Sequence, residues 1–152
     1  MPKEWRVYCE ANRFFLYRNQ EAKQVNKFKL SRRSLEKLQK VHPDLVKVVL
    51  LAIQLTEVDF GISEGVRTIE KQREYFAKGA SKTMNSRHLT GHAVDLAAYV
   101  GSEVRWDWPL YHKIADAMKR AANSLNVPIV AGADWVKFPD GPHFELDRKV
   151  YP

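Results

Sequence analysis

Between Leu45 and Leu55 nine of eleven positions are apolar, so a helix here has no polar face and belongs at the centre of a core. Pro43 suits its first turn, and "KLSRRSLEKLQK" before it predicts a short helix capped by Ser31 or Ser34. "VDFGISEGV" reads as a strand bounded by Gly65. A helix over "RTIEKQREYFAKG" follows, opened by Thr68 and closed by Gly79 where a left-handed cap is expected. "ASKTMNSRHLTG" is polar and aperiodic, hence a loop. "HAVDLAAYV" alternates as a strand does, and "PLYHKIADAMKRAANSLNV" places Leu110, Ile114, Met118, Ala121 and Leu125 on one helical stripe. A strand at "PIVAGADW", a turn at "FPDGP" and a last strand at "HFELD" complete the chain. Helices interleaved with strands too close together for regular crossovers predict an α+β domain on a small antiparallel sheet with packed helices.

Composition narrows the classes. A chain of 152 residues fits one domain. The single cysteine, Cys9, excludes an intramolecular disulfide framework and a thiolate cluster, so any metal must be held by histidine and carboxylate. No stretch approaches the ~18 apolar residues of a membrane span, and the N-terminus lacks the uninterrupted apolar run of a secretory signal, so synthesis in a cytoplasm is expected. The net charge of +7 sits at one end: residues 1–40 carry eleven Lys/Arg against four Asp/Glu, and the remainder carries fourteen of each. Such an arm can attract nucleic acid or an anionic envelope polymer, or act as a solvated tail. No helix-turn-helix, RNA-binding strand or zinc finger accompanies it, so no specific nucleic-acid partner is expected. Residues 1–27, with the aromatic runs "WRVYC" and "RFFLY", read as a basic N-terminal extension forming a hairpin or an irregular cover. Residues 28–152 read as the functional domain.

The candidate chemistry lies in "SRHLTGHAVDL", Ser86 to Leu96. His88 and Asp95 would stand ~10 Å apart along a helix and ~23 Å apart along a strand. They converge only if the chain reverses between them, and Gly91 permits a backbone conformation that a side chain forbids. Beyond that turn, alternation puts Ala93, Asp95 and Ala97 on one face and Val94, Leu96 and Ala98 on the other. His92 takes the parity opposite Asp95 and is set aside as a ligand. The same alternation in "PHFEL" puts His143 and Glu145 on one face. If the two strands are neighbours, His88, Asp95 and His143 form a two-histidine, one-carboxylate set with an open fourth position, the pattern of catalytic zinc. Asp140, three residues before His143 across Gly141 and Pro142, is placed to act as general base on the attacking water and then as proton donor to the leaving amine. Taken singly, each residue also has an ordinary structural explanation in a turn, a cap or an ion pair.

Together they form a pattern. "SRHLTGHAVDL" resembles the SxHxxGxAxD signature of the zinc D-alanyl-D-alanine and L-alanyl-D-glutamate peptidases of the hedgehog/DD-peptidase fold, which include the VanX-type dipeptidases. "DGPHFEL" is similar to that family's second motif, D/E-x-x-H, and "EGVRT" to its arginine-bearing strand end. The likeness spans about residues 28 to 148 and is nearest the short phage and prophage endolysins, where "GADW" also precedes the last motif. It implies one zinc ion per chain on His88, Asp95 and His143, with Asp140 as base. It implies that Arg67 holds the scissile carbonyl or its oxyanion, that Ser86 bonds the substrate or the loop bearing His88, and that Trp135 walls the cleft. The implied activity is hydrolysis of the L-alanyl-D-glutamate bond in a peptidoglycan stem peptide, by a monomer made in the host cytoplasm that reaches the wall after membrane permeabilisation. Two alternatives share the fold: a D-alanyl-D-alanine carboxypeptidase or dipeptidase, and a zinc-bearing binding module without catalysis.

Overall fold

The computed structural model describes residues 28–152; the expectations for residues 1–27 fall outside it. Helix α1 (Arg32–Lys37) is capped by Ser31, whose Oγ accepts from the Ser34 amide at 3.1 Å. Ser34 turns inward instead, and its Oγ accepts from the Ile62 amide at 3.0 Å, tying α1 to strand β1 (Asp59–Glu64). Helix α2 (Pro43–Leu55) starts on its proline, with His42 Nδ1 accepting from the Asp44 amide. It buries eight residues from Leu45 to Ile53, which is the central position its all-round apolarity requires. Helix α3 (Ile69–Ala77) is capped by Thr68, and Gly79 beyond it takes φ +73°.

Strand β2 (Ala93–Val100) is the axis of a five-stranded sheet in which β1, β2, β5 (His143–Leu146) and β4 (Ile129–Ala131) lie in that order and β3 (Glu103–Arg105) also pairs with β2, every pairing being antiparallel. One edge of β2 pairs with β1. The other is shared between β5, along Ala93 to Asp95, and β3, along Ala98 to Val100. Strand β4 lies outside β5. Phe60, Ile62, Val94, Leu96, Ala98, Phe144 and Leu146 join α2 and helix α4 (Trp108–Leu125) in a single core. From the expected stripe on α4, Ile114, Met118 and Ala121 are fully buried, while Leu110 and Leu125 pack at its margin.

Two local expectations are corrected and one strand is added. "PIVAGADW" is a strand only as far as Ala131, because residues Gly132–Asp134 wind into a 3-10 turn. The loop before β2 contains a 3-10 turn, Arg87–Thr90. Strand β3 escapes sequence reading because it has only three residues, all exposed, too few for alternation to register.

Candidate active site

The 3-10 turn Arg87–Thr90 is capped by Ser86, whose Oγ accepts from the His88 amide at 3.3 Å. Gly91 follows with φ +74°, reversing the chain into β2. The turn is locked from outside as well: the His42 amide donates to Gly91 O at 2.7 Å, and the Arg67 amide donates to His88 O at 3.0 Å. Asp95 pairs directly with His143 across β2 and β5. On the other edge a bulge at Ser63 shifts the register, so that Glu64 stands opposite Asp95. Bulges of this kind re-aim side chains beside active sites. Here the result is two carboxylates face to face, an arrangement that repels unless a cation offsets it.

His88, Asp95 and His143 offer ligand atoms all within 4.8 Å of one another. His88 Nδ1 lies 2.8 Å from Gly65 O, which only accepts, so the ring carries a proton there, and its Nε2 faces Asp95 Oδ1, 3.2 Å away. His143 Nε2 lies 2.8 Å from Glu145 Oε2, and its Nδ1 lies 3.2 Å from the same Asp95 oxygen. Each histidine thus has its far nitrogen anchored by an acceptor, the arrangement that fixes ring and tautomer in metal sites. Three atoms that can each ligate a cation converge on one point. The two rings are almost wholly buried, at 2% and 7% exposure. The chemistry of the donor set fits a metal ion.

The charges of the metal-free chain say the same. Burial opposes ionisation of Asp95, but hydrogen bonds from His143 and His88 outweigh it and hold the carboxyl far below the usual carboxylate range. Burial likewise opposes protonation of His143, yet its bonds to Asp95 and Glu145 raise it to about 9. Glu145 is itself held low, since its bonds to His143 and Arg148 overcome its burial.

His88, Asp95 and His143 line a cleft of about 690 Å³ with Glu64, Arg67, Tyr75, Ser86, Trp135 and Asp140 among its walls. Asp140 sits at the mouth. Burial of its carboxyl, then the charge of Asp95, push its pKa up. Its backbone is fixed by a bond from its amide to Gly132 O and one from the His143 amide to its own carbonyl. Arg67 makes a bidentate pair with Glu64, donates from Nη1 to Gln72 Oε1 at 2.6 Å, and reaches 4.0 Å from Asp95 Oδ2. Its guanidinium lies 4.7 Å over the Tyr75 ring. Arg67 is therefore both the ion-pair partner of Glu64 and part of the cleft wall, and it supplies the cation that two facing carboxylates need. The Trp135 ring stands 5.0 Å from that of His143. His92 stands apart: it bonds Thr90 Oγ1 at 2.8 Å and packs against His42.

Two residues were passed over in the sequence. Gln72, fully buried on α3, accepts from Arg67 and donates to Ser81 Oγ and Thr83 O, joining helix, arginine and loop. A glutamine among charged neighbours on a helix gives no signal of burial. Glu145 did have one, because its parity already placed it on the His143 face.

A buried two-histidine, one-carboxylate set at the floor of an open cleft, with a free carboxylate at its mouth, defines a hydrolytic enzyme whose site can hold a metal. The chain belongs to the phage L-alanyl-D-glutamate peptidase family, whose model matches residues 26–151. It is 33% identical over 128 residues to the L-alanyl-D-glutamate peptidase of Escherichia phage T5, covering 82% of this chain and 93% of that protein. It is 37% identical over 90 residues to the enzyme of the same name from Listeria phage A118, covering 59% of this chain and 31% of that longer protein. Among solved structures it matches the L-Ala D-Glu endopeptidase ChiX of Serratia marcescens with a TM-score of 0.78 and 45% identity, covering 82% of this chain and 94% of that one. The fold is that of a known L-Ala-D-Glu endopeptidase, as the α+β expectation requires.

Proposed function

We propose that this chain is a zinc metallopeptidase that hydrolyses the L-alanyl-D-glutamate amide bond in the peptide stem of bacterial peptidoglycan, serving a phage or prophage in host lysis. The observation that carries the reading is the convergence of His88, Asp95 and His143 at the floor of a cleft, in a chain of this peptidase family. Two histidines and a carboxylate form a set suited to a catalytic zinc with an open position. One zinc ion held there supplies Lewis acidity, polarising the scissile carbonyl and acidifying water at neutral pH.

The chain's own residues do the rest. Asp140, ionised, takes a proton from the attacking water as its oxygen bonds the carbonyl carbon, then returns that proton to the amine as the C–N bond breaks. Its raised pKa brings it nearer the operating pH, which favours both halves of that transfer. Arg67 has five N–H donors, of which Glu64 and Gln72 engage three. The remaining two are available to the carbonyl oxygen and the charge it develops, on a guanidinium that cannot turn away. Ser86 orients the His88 turn, and Trp135 walls the site behind His143. Synthesis in the host cytoplasm, action at the wall after membrane permeabilisation, and a monomeric state complete the proposal.

Mass spectrometry of purified peptidoglycan after digestion tests it. A new amino terminus on D-glutamate is the expected product. Release of a terminal D-alanine assigns the chain to the carboxypeptidase branch, and no hydrolysis of any stem peptide removes the enzymatic reading.

A further inference from the structure

Outside the cleft, the described residues expose two tryptophans that the proposed mechanism does not use. Trp106 is 61% exposed and Trp108 44%. The Trp106 ring lies parallel over Tyr111, with 6.1 Å between centroids and 5° between planes. Tyr111 cannot tilt, because its hydroxyl accepts from the Ala98 amide and donates to Arg105 O. One face of Trp106 is therefore held rigidly, and the indole is presented to solvent. Both Trp108 and Tyr111 lie against Gly141: a Cβ added there would meet Trp108 Cζ3 and Tyr111 Cβ at 3.2 Å. The aromatic group thus begins at the residue adjoining Asp140.

We propose that Trp106 and Trp108 form a saccharide subsite, taking the N-acetylated sugar ring from which the stem peptide hangs. The inference rests on the L-alanyl-D-glutamate reading. In that substrate the scissile carbonyl belongs to the first residue of the stem, whose nitrogen is acylated by a short lactyl arm on the sugar. One residue spans at most ~3.6 Å, so the sugar stands within about two residue lengths of the reacting bond. The Trp106 ring is reached from Gly141, the neighbour of Asp140, through the single ring of Tyr111. A pyranose ring is neutral and turns C–H groups outward from its faces, which matches a flat aromatic surface rather than the basic side chains Lys82, Lys137 and Arg148 that line the cleft. Two neighbouring exposed indoles form apolar surface of the kind that marks contact sites, and a ring already held in place offers it at little entropic cost.

The test compares kcat/KM on two substrates with the same stem tetrapeptide, one carried on an N-acetylglucosaminyl-N-acetylmuramyl disaccharide and one capped only by a lactoyl group. The expected result is that Trp106→Ala lowers the ratio of the two by about 5- to 10-fold, the worth of one stacked ring, and Trp106→Phe restores most of it. An unchanged ratio in Trp106→Ala overturns the subsite. If it is accompanied by a change from dimer to monomer in sedimentation, the patch is a contact between copies. If the wild-type enzyme cleaves neither substrate between alanine and glutamate, the underlying function reading fails. The subsite is then judged alone by NMR titration with the same disaccharide: absence of any shift in the Trp106 indole N–H overturns it too.

Discussion

Gly79 and Gly91 have nearly identical backbones, φ +73° and +74°, and very different surroundings. A Cβ at Gly79 meets nothing within 4 Å, whereas one at Gly91 meets Lys40 O at 2.5 Å. Alanine in the left-handed region costs about 1–2 kcal/mol at either position. At Gly91 the carbonyl of Lys40 must also retreat, and the segment holding it is clamped by the bond from the His42 amide to Gly91 O. Forced displacement of packed backbone adds about 1–3 kcal/mol. In a domain of this size each kcal/mol moves Tm by about 2–4 °C, so Gly91→Ala should melt roughly 2–12 °C below Gly79→Ala. Gly91 also sets the reversal that brings His88 to Asp95, so Gly91→Ala should lose zinc to a competing chelator more readily than wild type, and Gly79→Ala should not. Differential scanning calorimetry with a chelator titration reads both. Equal losses of Tm, or wild-type zinc retention by Gly91→Ala, would refute the claim that this turn builds the site.

Three further outcomes follow from the same geometry. In the metal-stripped protein His143 is raised to about 9 from an ordinary 6.5, so its contribution is full below pH 6.5 and lost as pH rises through 9. Zinc needs the neutral ring, so the Tm gap between zinc-loaded and stripped protein should widen from pH 6 to 9, with an upper limit on the order of 3 kcal/mol from His143; a constant gap contradicts it. Gln72→Leu leaves an Arg67 donor without its partner and removes one of the two bonds to the Thr83 carbonyl, and should cost about 1–3 kcal/mol by denaturant unfolding and lower kcat/KM with zinc still bound. Asp140→Asn should keep zinc by elemental analysis and lose about 10²–10⁴ in kcat; near-normal turnover would remove Asp140 from the mechanism.

Much of this site was legible because it obeys local rules. Gly91 announces a reversal, and strand parity separates Asp95 from His92 and pairs His143 with Glu145 before any contact is seen. The neighbouring of β2 and β5 had to be supposed, and the structure supplies it as the register Asp95 to His143. What escaped depends on contacts between distant segments. The bulge at Ser63 is a feature of pairing, invisible in "DFGISE", and it decides that Glu64 faces Asp95, where its carboxylate binds Arg67 at Nε and Nη2. Gln72 is buried only because the loop at Ser81 and Thr83 folds over it.

The central claim is that a local motif supplies two ligands of a zinc site and His143, some fifty residues on, the third. Zinc stoichiometry measured by elemental mass spectrometry, alongside stem-peptide turnover, tests it on wild type, Asp95→Ala and His143→Ala. The expected result is one zinc per chain in the wild type, with zinc and turnover lost together in both variants while the fold persists by circular dichroism. Full zinc occupancy in either variant, or wild-type turnover that survives complete removal of zinc, would contradict the account.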